Sequence, residues 1–188
     1  MRRLDAVRVR IGTLIGLIAG LAFFAASSYV SYSNIQAVGN ADASVRDTHN
    51  MLVALNRLLS TLQDAETGQR GYILTGKETY LQPYHQAVSD VRDRLDAVQD
   101  LTVNDPVQSN NLRDLRPHVI AKLAELTRTI ELRQAKGFGP AVTAVSTDVG
   151  QQEMAAIRRQ IEVMNSEEVR QRSLRLEEMA SASRGAVS

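Results

Sequence analysis

Apolar positions along this chain fall into two regimes. From Ile11 to Val30, twenty residues run without a charge, and the next charged residue is Asp42. Beyond it the apolar residues become spaced. Val45, Thr48, Leu52, Leu55, Leu59 and Leu62 alternate in steps of three and four, the seam of a bundle helix. The pattern predicts a first helix ending near Thr75, where Gly76 can take a left-handed conformation. A second helix beginning near Tyr80 carries Leu81, Tyr84, Val88, Val91, Leu95, Val98 and Leu101, with Pro83 in its first turn. Asp105 and Pro106 suit the cap and first position of a third helix. That helix carries Leu112, Leu115, Val119, Leu123, Leu126 and Ile130, and stops at Gly137. Pro117 within it is expected to kink it or delay its start. Gly139-Pro140 opens a fourth helix, interrupted at Thr147–Gly150 and resuming with Met154, Ile157, Ile161 and Met164. Nothing alternates with period two, so strands are not expected. Short turns between such helices predict an all-α, antiparallel up-down-up-down four-helix bundle.

The uncharged run is long enough for a membrane. Twenty residues of helix span roughly 30 Å, the thickness of a bilayer core. Arg2, Arg3, Arg8 and Arg10 precede the run, and no positive charge closely follows it. That asymmetry puts the N-terminus in the cytoplasm. Tyr29 and Tyr32 fall where an outer aromatic belt belongs. The expected partition is a cytoplasmic N-terminus at 1–10, a transmembrane helix at 11–30, an extracytoplasmic domain at 31–183 and a flexible tail at 184–188. Membrane lipid is then a partner. A cleavable signal peptide is the competing reading, with Ala25 and Ser27 as a small-residue cleavage site. Gly12, Gly16 and Gly20 repeat every four residues and line one helix face with hydrogens. Such a face suits close helix–helix contact in the membrane. The plainer reading is that glycine is common in membrane spans.

Helix lengths add an expectation about shape. Residues 31–75 would reach roughly 68 Å from the membrane, whereas helices two and three cover roughly 33–46 Å. Helices one and four then form a two-helix stalk near the membrane, where Glu167, Glu168, Arg170, Gln171 and Arg172 crowd out the core. Such a stalk buries little, which calls for a second copy or a partner membrane subunit.

Charge and composition narrow the function. Net charge is +1; four arginines against Asp5 put +3 on the first ten residues and leave about −2 on the rest. No basic surface for nucleic acid results. There is no cysteine, so disulfides and thiolate sites are excluded. His49, His85 and His118 lack metal-ligand spacing. No phosphate-cradling glycine loop or serine elbow is present. Glu167-Glu168 and Glu177-Glu178 are adjacent and face different ways on a helix. No catalysis, metal or cofactor is expected.

One stretch breaks the local rules. Asp64 to Tyr84 reads DAETGQRGYILTGKETYLQPY. Continuing the first helix's seam past Leu62 gives Glu66, Gln69 and Ile73, so an acid and an amide point into the bundle. A buried carboxylate needs partners. Arg70 lies four residues after Glu66, the favourable order for a helix ion pair. Asp64, Glu66, Gln69 and Arg70 therefore form a candidate polar cluster. It either fixes helix register or couples to a ligand or a bistable packing. Gly68 and Gly71 suit close approach by a neighbouring helix. Tyr72, Tyr80 and Tyr84 gather at the same turn, as lining of a small pocket or as core tyrosines with satisfied hydroxyls.

This segment resembles the signature of the CHASE family, type three (cyclase- and histidine-kinase-associated sensory extracellular domain). The resemblance rests on Glu66, Thr67, Gln69, Arg70, Gly71, Tyr72, Leu74, Thr75 and Gly76, continues through Tyr80, Leu81, Pro83 and Tyr84, and extends more weakly to about residue 175. It implies a non-catalytic helical sensor on the outer face of a bacterial cytoplasmic membrane. Such sensors drive a histidine kinase, a cyclase or a chemotaxis-type module. It implies no particular ligand. Receptors of this kind carry a second membrane helix after the sensor, whereas this chain reads ASASRGAVS after Met179. Two expectations follow: a portion of such a receptor, or a single-span accessory subunit that has reused the sensor fold.

Overall fold

The computed structural model describes residues 2–185, with side chains at residues 16–18, 20–25, 27–29, 31–32 and 46–181. Among the described residues the chain is all-helical, without strands. α1 spans Arg2–Thr75, α2 Gln82–Thr102, α3 Pro106–Lys136, α4 Phe138–Val145 and α5 Val149–Gly185. A 3-10 turn at Glu78–Leu81 joins α1 to α2.

Local chemistry explains the breaks. α1 runs for 74 residues, about 110 Å at helical rise. It ends because Gly76 adopts φ +70° and its N–H closes on the Tyr72 carbonyl at 2.7 Å, a left-handed C-terminal cap. Asp105 caps α3: its Oδ1 accepts from the Val107 and Gln108 amides at 2.9 and 3.0 Å. α3 continues through Pro117 without delay. Its end is set by Gly137 at φ +82°. The fourth helical segment is broken between Val145 and Val149, around Asp148 at φ +60°. The interruption expected at Thr147–Gly150 is present but shorter, and the helix resumes at Val149.

Burial corrects the phase of the helix seams. On α1 the buried line is Thr48, Met51, Leu55, Leu58, Leu62, Ala65, Gln69, Tyr72 and Ile73. It shares Thr48, Leu55, Leu62, Gln69 and Ile73 with the sequence expectation, while Met51, Leu58 and Ala65 take the places of Leu52, Leu59 and Glu66. α2 buries Ala87 and Thr102 and leaves Val88 and Leu101 exposed. α3 buries Lys122, with Leu123 at the core's edge. An apolar stripe two residues wide fits either phase; packing on several neighbours decides it.

The core has two parts. Met51, Leu55, Leu58 and Leu62 pack with Val91, Leu95, Val98, Leu112, Leu115, Val119 and the α5 residues Met154, Ile157, Ile161 and Met164. Ala65, Tyr72, Leu81, Tyr84, Ala87, Leu126 and Ile130 form the second part without α5. The division falls between Leu62 and Ala65 on α1, and between Val119 and Leu126 on α3. Hydrogen bonds give the relative order of the helices. Gln108 meets Met164 and Glu168, Asn111 meets Gln160 and His118 meets Glu153, so contacts descend α5 as they ascend α3. Gln69 meets Thr129 and Ile73 meets Arg133, so α1 and α3 ascend together.

Among the described residues no helix is long and apolar enough to cross a membrane. The run at 11–30 lies within α1, with the side chains of residues 11–15, 19, 26 and 30 outside those described. Gly12 is one of these. A Cβ added at Gly16 or Gly20 would meet nothing of this chain within 4 Å.

Candidate functional site

The boundary between the two core parts is filled by charge. Lys122 replaces an apolar residue at the α3 seam and is only 2% exposed. Its stem continues the line from Val119 to Leu126, while its ammonium must find partners. Nζ lies 3.0 Å from Glu125 Oε2, one turn along α3, and 3.7 Å from Glu66 Oε1 on α1. Arg70 Nη2 closes on the same Glu66 oxygen at 2.5 Å. Glu66 thus links a buried ammonium to an exposed guanidinium.

Two further features complete the layer. Gln69 is buried and its Nε2 donates to Thr129 Oγ1 at 2.6 Å. That hydroxyl lies 2.9 and 3.1 Å from the carbonyls of Leu126 and Glu125. Gly150 stands in the first turn of α5, and a Cβ there would collide with the Glu125 carboxylate and the Lys122 ammonium. The start of α5 is therefore seated on the ion cluster. A carboxylate is favoured there by the positive end of the helix dipole. Glu66, Gln69, Arg70, Lys122, Glu125 and Gly150, with neighbouring residues, enclose a cavity of about 90 Å³. α1, α3 and the start of α5 meet at this one polar layer.

The other sequence-derived candidates lie nearby. Asp64 is exposed and lines an open groove between α1 and α2; the ion cluster is built without it. Tyr72 and Tyr84 are buried in the second core part, and the Tyr84 hydroxyl shares a 2.8 Å hydrogen bond with Thr127 Oγ1. Tyr80 is 45% exposed and lays its ring against Gly71, where any Cβ would strike it. A Cβ on Gly68 would stand 2.6 Å from the Tyr80 carbonyl oxygen. The two glycines thus admit the 3-10 turn to the flank of α1. The end of α1 is held by Arg133, whose Nε donates to the Ile73 carbonyl at 2.8 Å and whose guanidinium lies over the Phe138 ring at 5.7 Å.

Lys122 and Glu125 were missed by the sequence reading. Val119, Leu123 and Leu126 offer an unbroken apolar alternative, and the signal for Lys122 is only its own three-four spacing between Val119 and Leu126. A second polar knot was missed as well. Gln108 is fully buried; its Nε2 donates to the Met164 carbonyl at 2.9 Å and to Glu168 Oε1 at 2.8 Å. Beside it Gln171 Nε2 donates to Asp105 Oδ2 at 2.7 Å and to Glu167 Oε1 at 2.9 Å. Arg170 grips Glu167 with two bonds of 2.6 and 2.8 Å. These bonds, Arg170 first and Gln171 next, hold the Glu167 carboxyl at about 2, down from the ordinary 4.5. The partner Arg170 is pushed up by the same contact.

Comparison with known proteins gives a consistent result. The family described as the CHASE3 domain matches residues 41–178. The chain is similar to the crystal structure of the Rhodopseudomonas palustris histidine kinase HK9 sensor domain. The TM-score is 0.60 at 26% identity, over 64% of this chain and 94% of that one. No curated protein matches.

Proposed function

The chain belongs to the CHASE3 family, and from that premise we propose that it is a membrane-anchored, extracytoplasmic and non-catalytic sensory domain of a bacterial receptor. The observation that carries the reading is the coincidence of the family's span with a core split by one charged layer. Residues 1–10 are cytoplasmic, 11–30 cross the cytoplasmic membrane once and 31–183 lie outside it. The helices run up, down, up and down, a reading supported by the ascending and descending hydrogen-bond pairs. Two copies, or one copy and a partner membrane subunit, associate through the membrane-proximal stalk and the glycine face of Gly12, Gly16 and Gly20.

Signal passes as a small displacement of α1 against α5. Packed helices exchange between discrete arrangements rather than deforming continuously. Lys122 is the natural pivot, because it touches the carboxylates that face α1 and the start of α5. Moving α1 lengthens the Glu66–Lys122 contact, and moving α5 lifts its first turn off the Lys122–Glu125 pair. Glu66 and Arg70 bias the α1 side of that contact, and Tyr72 sits in the core part beyond it.

A chimera tests this. Residues 41–178 would replace the sensor of a membrane-bound histidine kinase, and autophosphorylation would be measured in vesicles. Glu66→Gln and Lys122→Met are expected to change the rate by about tenfold, the usual scale of a coupling energy. Asp105→Ala, a destabilising change away from the layer, leaves it within about twofold. Unchanged rates in both layer variants would overturn the reading. Stoichiometric co-purification with a large unrelated membrane complex would favour an accessory subunit instead.

A further inference from the structure

Arg57 on α1 and Arg94 on α2 line two open grooves that meet between these helices, of about 800 and 520 Å³. The Arg94 side chain is 39% exposed, yet its Nε is buried without a hydrogen-bond partner. Its contact to Asp90 Oδ2, at 3.9 Å, is long for an ion pair. Asp90 is held from the other side, where Oδ1 accepts from Gln86 Nε2 at 2.8 Å. Asp64, which the ion cluster does not use, lines the same groove. The face therefore carries two guanidinium groups, with Asp64 and Asp90 on one side of them and Asp100 on the other.

This pattern argues against a second copy as the occupant. In the proposed membrane insertion, paired copies stand parallel about a two-fold axis. Each level of a face then meets its own image. Arg57 and Arg94 would meet arginines, and Asp64 and Asp90 would meet aspartates, an arrangement that disfavours pairing. A simple anion is also poorly matched, since acids flank the arginines. A molecule with a carboxylate and an ammonium a few bonds apart matches both charges.

We propose that the α1–α2 groove binds a small zwitterion of the α-amino acid class. Its carboxylate takes the exposed side of the Arg94 guanidinium with Arg57 opposite, a closer charge-assisted contact than the 3.9 Å approach of Asp90. Its ammonium meets Asp90 Oδ2, with Asp64 beyond. Binding ties α1 to α2 near the level of the charged layer.

The test is calorimetry and thermal melting of the full chain in mild detergent. The probes are the proteinogenic α-amino acids, each beside its deaminated acid and its decarboxylated amine. At least one amino acid is expected to raise the melting temperature by roughly 5–10 °C at about a hundred times its Kd. Its acid and amine counterparts bind at least about tenfold more weakly. Arg94→Gln and Arg57→Gln abolish the shift. If a variant fails to fold, the comparison of the three ligand forms on the unaltered chain decides. No binding, equal binding of the counterparts, or binding retained in a folded Arg94→Gln variant overturns the proposal. So does loss of self-association in Arg94→Gln, which would make the groove an interface between copies. Binding with no output from the kinase chimera would support the site and count against the sensory reading. Output without binding would do the reverse.

Discussion

At Lys122 one side chain meets two environments. Its methylenes lie in the α3 seam between Val119 and Leu126, and its ammonium reaches Glu125 and Glu66. Removing the ammonium leaves two carboxylates, one on each helix, in a poorly hydrated layer. Lys122→Met should therefore lower the unfolding free energy by about 3 kcal/mol, whereas the combined Glu66→Leu, Lys122→Met, Glu125→Leu chain should return to within about 1 kcal/mol of the original. Urea denaturation of both variants decides this; additive losses in the combined chain would show that the layer is not an ion cluster. Glu167 makes a second prediction at this scale. Its folded carboxyl titrates near 2 against an ordinary 4.5. A depressed carboxylate contributes stability fully above the unfolded value, and that contribution is lost as pH falls through the folded one. Glu167→Gln should flatten the loss of stability between these limits, read as the denaturation midpoint against pH. Of these residues, Gln69 was legible in the sequence because an amide on a seam has no apolar substitute beside it. Lys122 was not, since Leu123 next to it satisfies the same spacing and the lysine's Glu66 partner comes from another helix.

At the scale of elements, the breaks were legible and the faces only partly. Gly76, Asp105-Pro106 and Gly137 act through their own backbone or side chain, so neighbouring sequence suffices to place them. The face of a helix depends on what packs against it, which explains the one-residue slip from Leu52 to Met51 and from Leu59 to Leu58. Pro117 does not delay α3, which starts at Pro106 and includes it. Three substitutions test the element-level account. Gly68→Ala gains about 1 kcal/mol of helix propensity, but its methyl group meets the Tyr80 carbonyl. A net loss of about 1–3 kcal/mol is expected. Gly16→Ala meets nothing within this chain, so it should cost the least of the three and act only through the proposed glycine-face contact between copies. Asp105→Ala removes both cap bonds and the Gln171 contact, for a loss of about 1–2 kcal/mol. Thermal melts of the three variants give the ordering directly.

At the scale of the whole molecule, the core of the described residues falls into two parts with a charged layer between them. α5 contributes to one part only, and its first turn sits on Glu125 and Lys122. The all-helical class was readable from periodicity, because no period-two pattern competed. The split of the core was not, since it arises from where α5 begins in space. The central proposal is that this domain stands outside the cytoplasm, anchored through residues 11–30. The chain has no cysteine, so a single introduced thiol reports its own location. The most direct measurement is maleimide labelling in spheroplasts with a membrane-impermeant reagent, using Gln63→Cys on the exposed flank of α1 and Ala6→Cys before the uncharged run. Labelling of Gln63→Cys in intact spheroplasts, with Ala6→Cys reacting only after permeabilisation, is the predicted result. Gln63→Cys reacting only after permeabilisation would contradict it.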